Sequence, residues 1–224
     1  MKSLICVTLA TLTALVSAEH KITSVYPMDG SIAGGTRLSI LGDGFDERGR
    51  SNTIYIGDST KGVNCDPVPN ECHSKRIVCI TEPFSGRDKF AITVSHGNSV
   101  AKCSYSAGCT FQYEFAETPE VSGIYPEWTT ASEEVTVTGQ KFAQGDQTVG
   151  AFDFTMHVGD EERCSLDANK VDWSTFSCGI ESGVFAGSQR LNVQMGSHGN
   201  ALISPLTQLD VYPQITAIYP NSGS

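Results

Sequence analysis

The chain has 224 residues and a formal net charge of −10, with 25 acidic against 15 basic residues. An acidic chain repels a phosphate backbone, and no cluster of Lys and Arg offsets that repulsion, so the composition argues against nucleic acid as a partner. No long stretch keeps the 3.6-residue period of an amphipathic helix. Short alternating runs separated by turn residues instead predict an all-β protein.

The first residues have the pattern of a secretory signal peptide. Lys2 precedes an apolar stretch, residues 4–16, which is too short to span a bilayer. Small residues then predict cleavage between Ala18 and Glu19. The alternative is a buried N-terminal strand or helix. We predict that residues 1–18 are removed and that the mature chain is secreted or luminal. Because Lys2 is the only charged residue among those removed, the net charge changes from −10 to −11.

A turn-strand-turn pattern follows and occurs three times. Residues 22–27 end in Tyr-Pro and lead through glycine turns to an alternating strand that includes Leu38 and Ile40. The same order returns at residues 121–126 and begins again at residues 215–220, so that the Tyr-Pro pairs are 99 and 94 residues apart. That spacing indicates tandem whole domains. We predict a first domain at 19–116, a second at 117–212 and the start of a truncated third at 213–224.

Other features recur in the same order in both repeats. The sequence His96-Gly97-Asn98 matches His198-Gly199-Asn200, each just after an alternating strand, which favours a turn role for both histidines over catalysis. The junctions between the repeats are short and contain proline. Short proline-containing linkers limit the φ angle, so we expect consecutive domains to touch and form a semi-rigid rod.

Seven of the eight cysteines lie beyond the predicted leader. In an oxidising compartment spaced cysteines predict disulfides first. Two pairs are separated by fourteen residues and displaced from each other by 99, and a third pair encloses Gly108, which predicts the bonds Cys65–Cys79, Cys164–Cys178 and Cys103–Cys109. Cys72 remains unpaired. It is a free thiol, a partner for another chain, a competitor for Cys65 or Cys79, or with His73 part of a zinc site, which secretion disfavours.

The repeated residues resemble the IPT/TIG domain, an immunoglobulin-like fold of plexins, Met-type receptors, Rel-type transcription factors and some glucanotransferases. The family pattern is filled in the first copy by Pro27, Gly30-Ser31, Gly34-Gly35-Thr36, Gly42 and Phe45. The second copy has Thr129-Thr130-Ala131-Ser132 in place of the glycines but keeps Gly139 and Phe142. Among extracellular members the chain is most similar to the fibrocystin group. The resemblance implies tandem immunoglobulin-like β-sandwiches of the E-set type.

Residues that could carry chemistry are few. No nucleophile elbow, His-Glu-x-x-His helix or phosphate-binding loop occurs, so we expect no catalytic residue, no cofactor and no enzyme activity. Acidic clusters at Asp43/Asp46/Glu47 and Asp160/Glu161/Glu162 lack a fixed calcium-ligand order and are interpreted as solvated turns. Trp128 and Trp173 are interpreted as plugs of a core or interdomain seam, with a ligand-binding platform as the alternative.

The leading functional hypothesis is a non-enzymatic extracellular array, part of a cell-surface receptor, adhesion or coat protein. Its expected partners are extracellular proteins, and it would reach a membrane only through sequence downstream of Ser224. The alternative is a carbohydrate-binding accessory module of a secreted enzyme, which makes glycans a second class of partner. A Rel-type role in DNA binding is disfavoured by the charge, the leader and the predicted disulfides.

Overall fold

The structure is a computed structural model that describes residues 20–48, 51–58, 60–97, 99–104, 109–130, 132–142, 154–162, 164–196, 198–213 and 219. Across these residues the chain is β-structure joined by turns, with no α-helix, which confirms the all-β prediction. The predicted cleavage site at Ala18 and Glu19 lies outside the described residues. The predicted third repeat does so too, apart from Pro213 and Tyr219.

The first repeat forms one continuous hydrogen-bonded sheet system that folds over an apolar core. Its strands follow the order β2-β10-β7-β4-β5-β6-β3-β1-β9, with β8 beside β7. The pairs β1–β9 and β2–β10 are parallel, whereas the others are antiparallel. The strands are β1 (Lys21–Tyr26), β2 (Asp29–Ser31), β3 (Arg37–Asp43), β4 (Asn52–Gly57), β5 (Gly62–Pro67), β6 (Arg76–Thr81), β7 (Lys89–His96), β8 (Ser99–Val100), β9 (Lys102–Cys103) and β10 (Thr110–Glu114), with a short 3-10 helix at Pro69–Glu71.

The second repeat builds three sheets around its own core. Their strand orders are β16-β17-β13-β11-β21, β12-β22-β18 and β15-β14-β19-β20. The strands are β11 (Glu120–Tyr125), β12 (Trp128–Thr130), β13 (Glu134–Gln140), β14 (Phe154–Val158), β15 (Glu161–Glu162), β16 (Cys164–Val171), β17 (Thr175–Ile180), β18 (Gly187–Gln189), β19 (Leu191–Met195), β20 (Gly199–Asn200), β21 (Leu202–Ile203) and β22 (Leu209–Tyr212).

Alternating side chains divide each strand between core and solvent. In β3, Leu38 and Ile40 are buried while Arg37 is exposed; in β13, Val135 and Val137 are buried while Glu134 is exposed. A period of two sends successive side chains to opposite faces of a strand, so each strand contributes one apolar row. The buried apolar residues accordingly form two separate clusters, one per repeat.

The glycine of the repeated Gly-x-x-Phe lies where the backbone of the neighbouring strand is too close for a side chain. A Cβ atom on Gly42 would lie 2.0 Å from the carbonyl oxygen of Lys21, and one on Gly139 would lie 1.9 Å from that of Glu120. Neither distance is sterically possible for a side chain. The phenylalanine three positions later then fills the core below, since Phe45 and Phe142 are 4% and 1% exposed. The two domains therefore share one local frame.

Six cysteines form three disulfides that join neighbouring segments. Cys65 in β5 is bonded to Cys79 in β6, Cys164 in β16 to Cys178 in β17, and Cys103 in β9 to Cys109 just before β10. Cys72 is a free, buried thiol whose Sγ atom lies 3.2 Å from the carbonyl oxygen of Val68. Because Cys65 and Cys79 are bonded to each other, neither is a free thiolate for a zinc site at Cys72 and His73.

Candidate interdomain interface

The two domains meet through a loop of the first and a turn of the second. The receiving loop, residues 31–36, connects β2 to β3, and it is placed by the pairing of β2 with β10 at the end of the first repeat. The docking turn, residues 198–200, connects β19 to β21. Both belong to motifs that the sequence repeats, so their meeting gives those motifs a structural role.

Backbone hydrogen bonds hold the turn against the loop. The Ser31 N–H donates to the His198 carbonyl oxygen at 3.0 Å, and the Asn200 N–H donates to the Gly34 carbonyl oxygen at 2.7 Å. These bonds cross from one domain to the other in both directions. They use main-chain groups, so they require close approach of the two backbones rather than particular side chains.

Side chains add a second set of bonds across this interface between the two domains, here called the seam. The Ser31 hydroxyl donates to the Asn200 carbonyl oxygen at 2.6 Å, and the Thr36 hydroxyl donates to the His198 carbonyl oxygen at 3.0 Å. Gln194 donates from Nε2 to the Gly35 carbonyl oxygen at 3.2 Å. Ser31 and Thr36 are both fully buried. A buried hydroxyl that lost its partner would carry a desolvation cost of about 1–3 kcal/mol, so the contact is specific as well as close.

Glycine is needed where the turn meets the loop. Gly199 has a φ of +96°, and a Cβ atom there would lie 2.3 Å from the Gly34 carbonyl oxygen. On the other side, a Cβ atom on Gly35, whose φ is +74°, would lie 2.4 Å from the Asn200 side chain. A side chain at Gly199 would collide with the backbone of the receiving loop, whereas one at Gly35 would require the Asn200 side chain to move.

The linker is held by both domains. Thr118 is fully buried, and its hydroxyl accepts a bond from the Ile32 N–H at 3.0 Å and donates to the Glu114 carbonyl oxygen at 2.6 Å. From the second domain, Lys141 Nζ donates to the carbonyl oxygens of Phe115 at 2.6 Å and Thr118 at 3.2 Å. The chain between the repeats is therefore a bonded part of the seam.

Acidic groups surround the docking turn. His198 Nδ1 lies 3.5 Å from a carboxylate oxygen of Glu117. Burial, together with the negative charges of Glu117 and Glu114, raises the pKa of Asp29 above its ordinary value, and His198 opposes that shift. The seam thus concentrates negative charge around one histidine.

A cleft of about 570 Å³ opens beside the seam and is lined by both domains. Arg37 and Arg76 both pair with Glu71 on its first-domain side, the second pair with an N–O distance of 3.8 Å. Tyr26 is 73% exposed at its edge. The cleft also includes Thr155, Gln194 and Gly196 of the second domain. This surface exists only while the two domains keep their arrangement.

The polar groups at the seam form hydrogen bonds that hold the two domains together. Its bonds join carbonyl groups, hydroxyls, amides and the Lys141 ammonium group, and within the described ranges no group of three or more His, Cys, Asp or Glu side chains is placed to hold a metal ion. Nor does any helix in the described part of the chain have the length and apolar content to cross a membrane. The arrangement can fix two domains at a set angle and present a shared cleft.

Sequence reasoning placed the histidines in turns but missed what one of those turns does. It named Ser31 and Thr36 within the family pattern but missed their contacts, and it missed Thr118, whose only signal is a small polar residue next to a proline. The interpretation of Trp128 and Trp173 as core plugs is wrong, because they are 58% and 50% exposed, whereas a place in a seam with a further domain stays a prediction. Smaller apolar residues and phenylalanines already fill the second core, so neither indole is needed there.

A sequence model of the "IPT/TIG domain" matches residues 21–113 and 119–211. The chain belongs to the IPT/TIG family. The two matches cover both sandwiches and stop on either side of the linker that contains Thr118. The resemblance seen in the repeated glycines, prolines and phenylalanines is thereby confirmed, and so is the immunoglobulin-like fold.

The chain spans only a small share of the length of the curated relatives that it matches. It is 23% identical to mouse fibrocystin-L over 252 aligned residues, covering 91% of this chain and 6% of that protein. It is 26% identical to mouse fibrocystin over 220 residues, covering 91% of this chain and 5% of that protein. The extracellular region of plexin A4 aligns with 91% of this chain and 16% of its own length, at 18% identity and a TM-score of 0.48.

Proposed function

We propose that this chain is part of a non-enzymatic extracellular array of IPT/TIG domains, a fibrocystin-like cell-surface protein that makes protein contacts at set spacing. The observation that carries the proposal is the seam. Two sandwiches joined by buried hydrogen bonds act as one unit, and such a unit can hold contact surfaces at a defined distance. The proposed domains are residues 19–116 and 117–212, and the proposed leader is residues 1–18.

The disulfides support an extracellular location. Three bonds in a chain of this size are typical of proteins made in an oxidising compartment, because cytosolic thiols are kept reduced. The relatives named fibrocystin and fibrocystin-L support the same class of protein. The absence of catalytic motifs in the sequence is consistent with a contact role.

We also propose that the array continues from an aromatic surface on the second domain. In the first domain Asp29 of β2 interacts electrostatically with His198 of the docking turn, and Glu114 of β10 pairs in register with Ser31 of the receiving loop. By strand register their counterparts are Trp128 of β12 and Tyr212 of β22, whose rings lie 6.2 Å apart edge to face and are 58% and 54% exposed. An apolar pair at the end of a domain suits a neighbouring domain, whose proposed beginning is residues 213–224.

Secretion of the chain from cultured animal cells tests the location. We expect protein in the medium that begins at Glu19, carries three disulfides and leaves one thiol, Cys72, reactive only after unfolding. Non-reducing peptide mapping with alkylation before and after denaturation measures this. Retention in the cytosol with the leader uncleaved and all eight thiols reduced would contradict the proposal.

Carbohydrate binding is the second candidate, because an exposed indole such as Trp128 offers a face for a sugar ring. Parallel binding to an array of extracellular protein domains and to a glycan array separates the two functions. The leading proposal expects protein ligands. Glycan binding that disappears in Trp128→Ala but persists in Trp173→Ala, the matched exposed indole, would favour the alternative.

A further inference from the structure

The connection between β5 and β6 contains the triplet Asn70-Glu71-Cys72. An asparagine followed two positions later by Ser or Thr is the acceptor for N-linked glycans in secreted proteins. No triplet of that kind occurs in the 224 residues. A cysteine thiol can take the place of the hydroxyl, because it also carries a hydrogen on the atom bonded to Cβ, although it is the weaker hydrogen-bonding group. Asn70 is thus the one asparagine in the sequence with an O–H or S–H side chain two residues further on.

A cysteine can serve in such a triplet only as a free thiol, because a disulfide sulfur carries no hydrogen. Cys72 meets this condition, since Cys65 and Cys79 on either side of it are bonded to each other. It is 7% exposed, and its Sγ atom lies 3.2 Å from the Val68 carbonyl oxygen and 3.5 Å from that of Val78. Within the described ranges, the cysteine left unpaired is therefore the one in this triplet.

The second domain shows that packing alone does not require a cysteine here. Displaced by 99 residues, like the two matching cysteine pairs, the triplet becomes Asn169-Lys170-Val171. Cys72 belongs to the apolar cluster of the first domain, and Val171 packs against that of the second. A plain apolar side chain therefore suits the position. The first domain has at this place a group that can form a hydrogen bond, which valine lacks.

Asn70 lies where a glycan can be accommodated. It belongs to the short 3-10 helix Pro69–Glu71, which contains no buried residue, and Asn70 itself is exposed. An N-linked glycan is bulky and hydrophilic, so it needs an acceptor at the surface. The adjacent Glu71 pairs with Arg37 and Arg76 and lines the interdomain cleft, so a glycan on Asn70 stands next to that cleft.

We propose that Asn70 carries an N-linked glycan, attached through the acceptor triplet Asn70-Glu71-Cys72. The inference rests on the proposed secretion of the chain. The donor is an oligosaccharide linked to a lipid pyrophosphate, and a membrane-bound transferase of the secretory pathway catalyses the reaction. The bond between sugar C1 and the pyrophosphate oxygen breaks, and a bond from C1 to Asn70 Nδ2 forms. The amide nitrogen loses one proton, and the lipid pyrophosphate leaves with the electron pair, so no oxidation or reduction is involved.

Peptide mapping of the full chain made in cultured animal cells tests the proposal. Protein from the medium and from the lysate is treated with peptide N-glycosidase in heavy-oxygen water, which releases the glycan and leaves a labelled aspartate. After reduction, trypsin yields residues 62–75, which contain Asn70, and residues 164–170, which contain Asn169. We expect the label on Asn70 in a fraction of the chains. Asn169, followed by valine at the second position, is the control in the same molecule and should carry none.

Two variants of Cys72 separate its role as acceptor from its role in packing. Cys72→Ser creates an ordinary acceptor triplet, so the labelled fraction should rise above that of the parent. Cys72→Ala leaves Asn70 in place but removes the hydrogen-bonding group, so the label should be lost. Asn70→Gln should abolish the change in electrophoretic mobility that the amidase causes. Because the transferase acts as the chain enters the secretory pathway, the lysate reports on a variant even if that variant does not fold.

Three results would overturn the inference, and they can be told apart. If the secreted protein has its three disulfides but Asn70 is unlabelled, the inference fails while the proposed location stands. If Cys72→Ala is labelled to the same extent as the parent, the triplet plays no part in the modification. If the chain stays in the cytosol with its leader uncleaved and its thiols reduced, the proposed location and this inference fail together.

Discussion

The same three residues, His-Gly-Asn, have different surroundings in the two domains. In the second domain the turn at residues 198–200 packs against the receiving loop of the first domain, and a Cβ atom on Gly199 would collide with Gly34. In the first domain a Cβ atom on Gly97 would meet nothing within 4 Å, and His96 stacks on His20. A repeated turn is therefore not a fixed contact. The turn of the second domain docks on the loop of the first, whereas a Cβ atom on Gly97 has no such neighbour among the described residues.

The receiving loop of the first domain also differs from the equivalent loop of the second domain, which contains Thr130, Ser132 and Glu133. Both are tied to the neighbouring strand alike, since the Gly35 N–H donates to the Thr81 carbonyl oxygen and the Ser132 N–H to that of Ile180, each at 2.7 Å. Where the first loop has Thr36, however, the second has Glu133. Its carboxylate accepts a bond from the Thr130 N–H at 2.8 Å, and that bond is the main cause of its lowered pKa.

With Glu133 in the position of Thr36, the second loop lacks a hydrogen-bond donor that the first loop has. The Thr36 hydroxyl donates to a carbonyl oxygen of the docking turn, whereas an ionised carboxylate can only accept. The second loop cannot bind another turn in the manner of the first. The proposed contact with a following domain through Trp128 and Tyr212 is consistent with that difference.

The prediction with the largest expected effect tests whether the Gly-x-x-Phe packing is equivalent in the two domains. Phe45→Ala and Phe142→Ala each remove a buried ring from the same position, so each should cost its own domain about 3–5 kcal/mol of unfolding free energy. Hydrogen exchange measured by mass spectrometry resolves the two domains within the full chain. Phe185→Ala, at an 80% exposed ring, is the control and should change neither. Clearly unequal losses would show that the repeats are not equivalent.

A matched glycine pair isolates the seam. Gly199→Ala and Gly97→Ala both place a side chain at a positive φ, which costs about 1–2 kcal/mol in either turn. Only Gly199→Ala also breaks the interdomain contact. We expect it to expose the amides of Ser31 and Asn200 to exchange, while Gly97→Ala leaves them protected. Equal protection in both variants would mean that the seam does not depend on close backbone approach.

Much of the frame could be predicted from the sequence, because it depends on local patterns. The alternation around Leu38 and Ile40, the glycine three residues before Phe45, and the equal spacing of two cysteine pairs each have a short-range physical cause. The seam could not be predicted, because its bonds join groups far apart in the chain, such as the Ser31 and Thr36 hydroxyls and carbonyl oxygens of the docking turn more than 160 residues away.

The tryptophans show a second limit of the sequence. An indole is large and apolar enough for a core, yet its size alone does not say which face of a strand it occupies. Trp128 lies in β12 beside Thr129, and the threonine is the buried residue of the pair. A burial pattern of one short strand cannot be read without knowing its register against β22.

The smallest expected effect concerns charge at the seam. Because the pKa of Asp29 is raised in the folded protein, its ionised form destabilises the fold at neutral pH, and the penalty is relieved as the pH falls. Because Asp29 is exposed and solvent screens its charge interactions, Asp29→Asn should raise the unfolding free energy at about pH 7 by no more than about 0.5 kcal/mol. Chemical denaturation over a pH series should show the difference vanish below about pH 4. A variant that is less stable at neutral pH would contradict this.

Residual dipolar couplings of the secreted two-domain chain test the central claim most directly. If the seam holds the sandwiches as one body, amide couplings from both domains fit a single alignment tensor. The same measurement on Gly199→Ala should yield two tensors of different magnitude. Two independent tensors in the unaltered protein would contradict the account, since its domains would then move separately despite the bonds between residues 31–36 and 198–200.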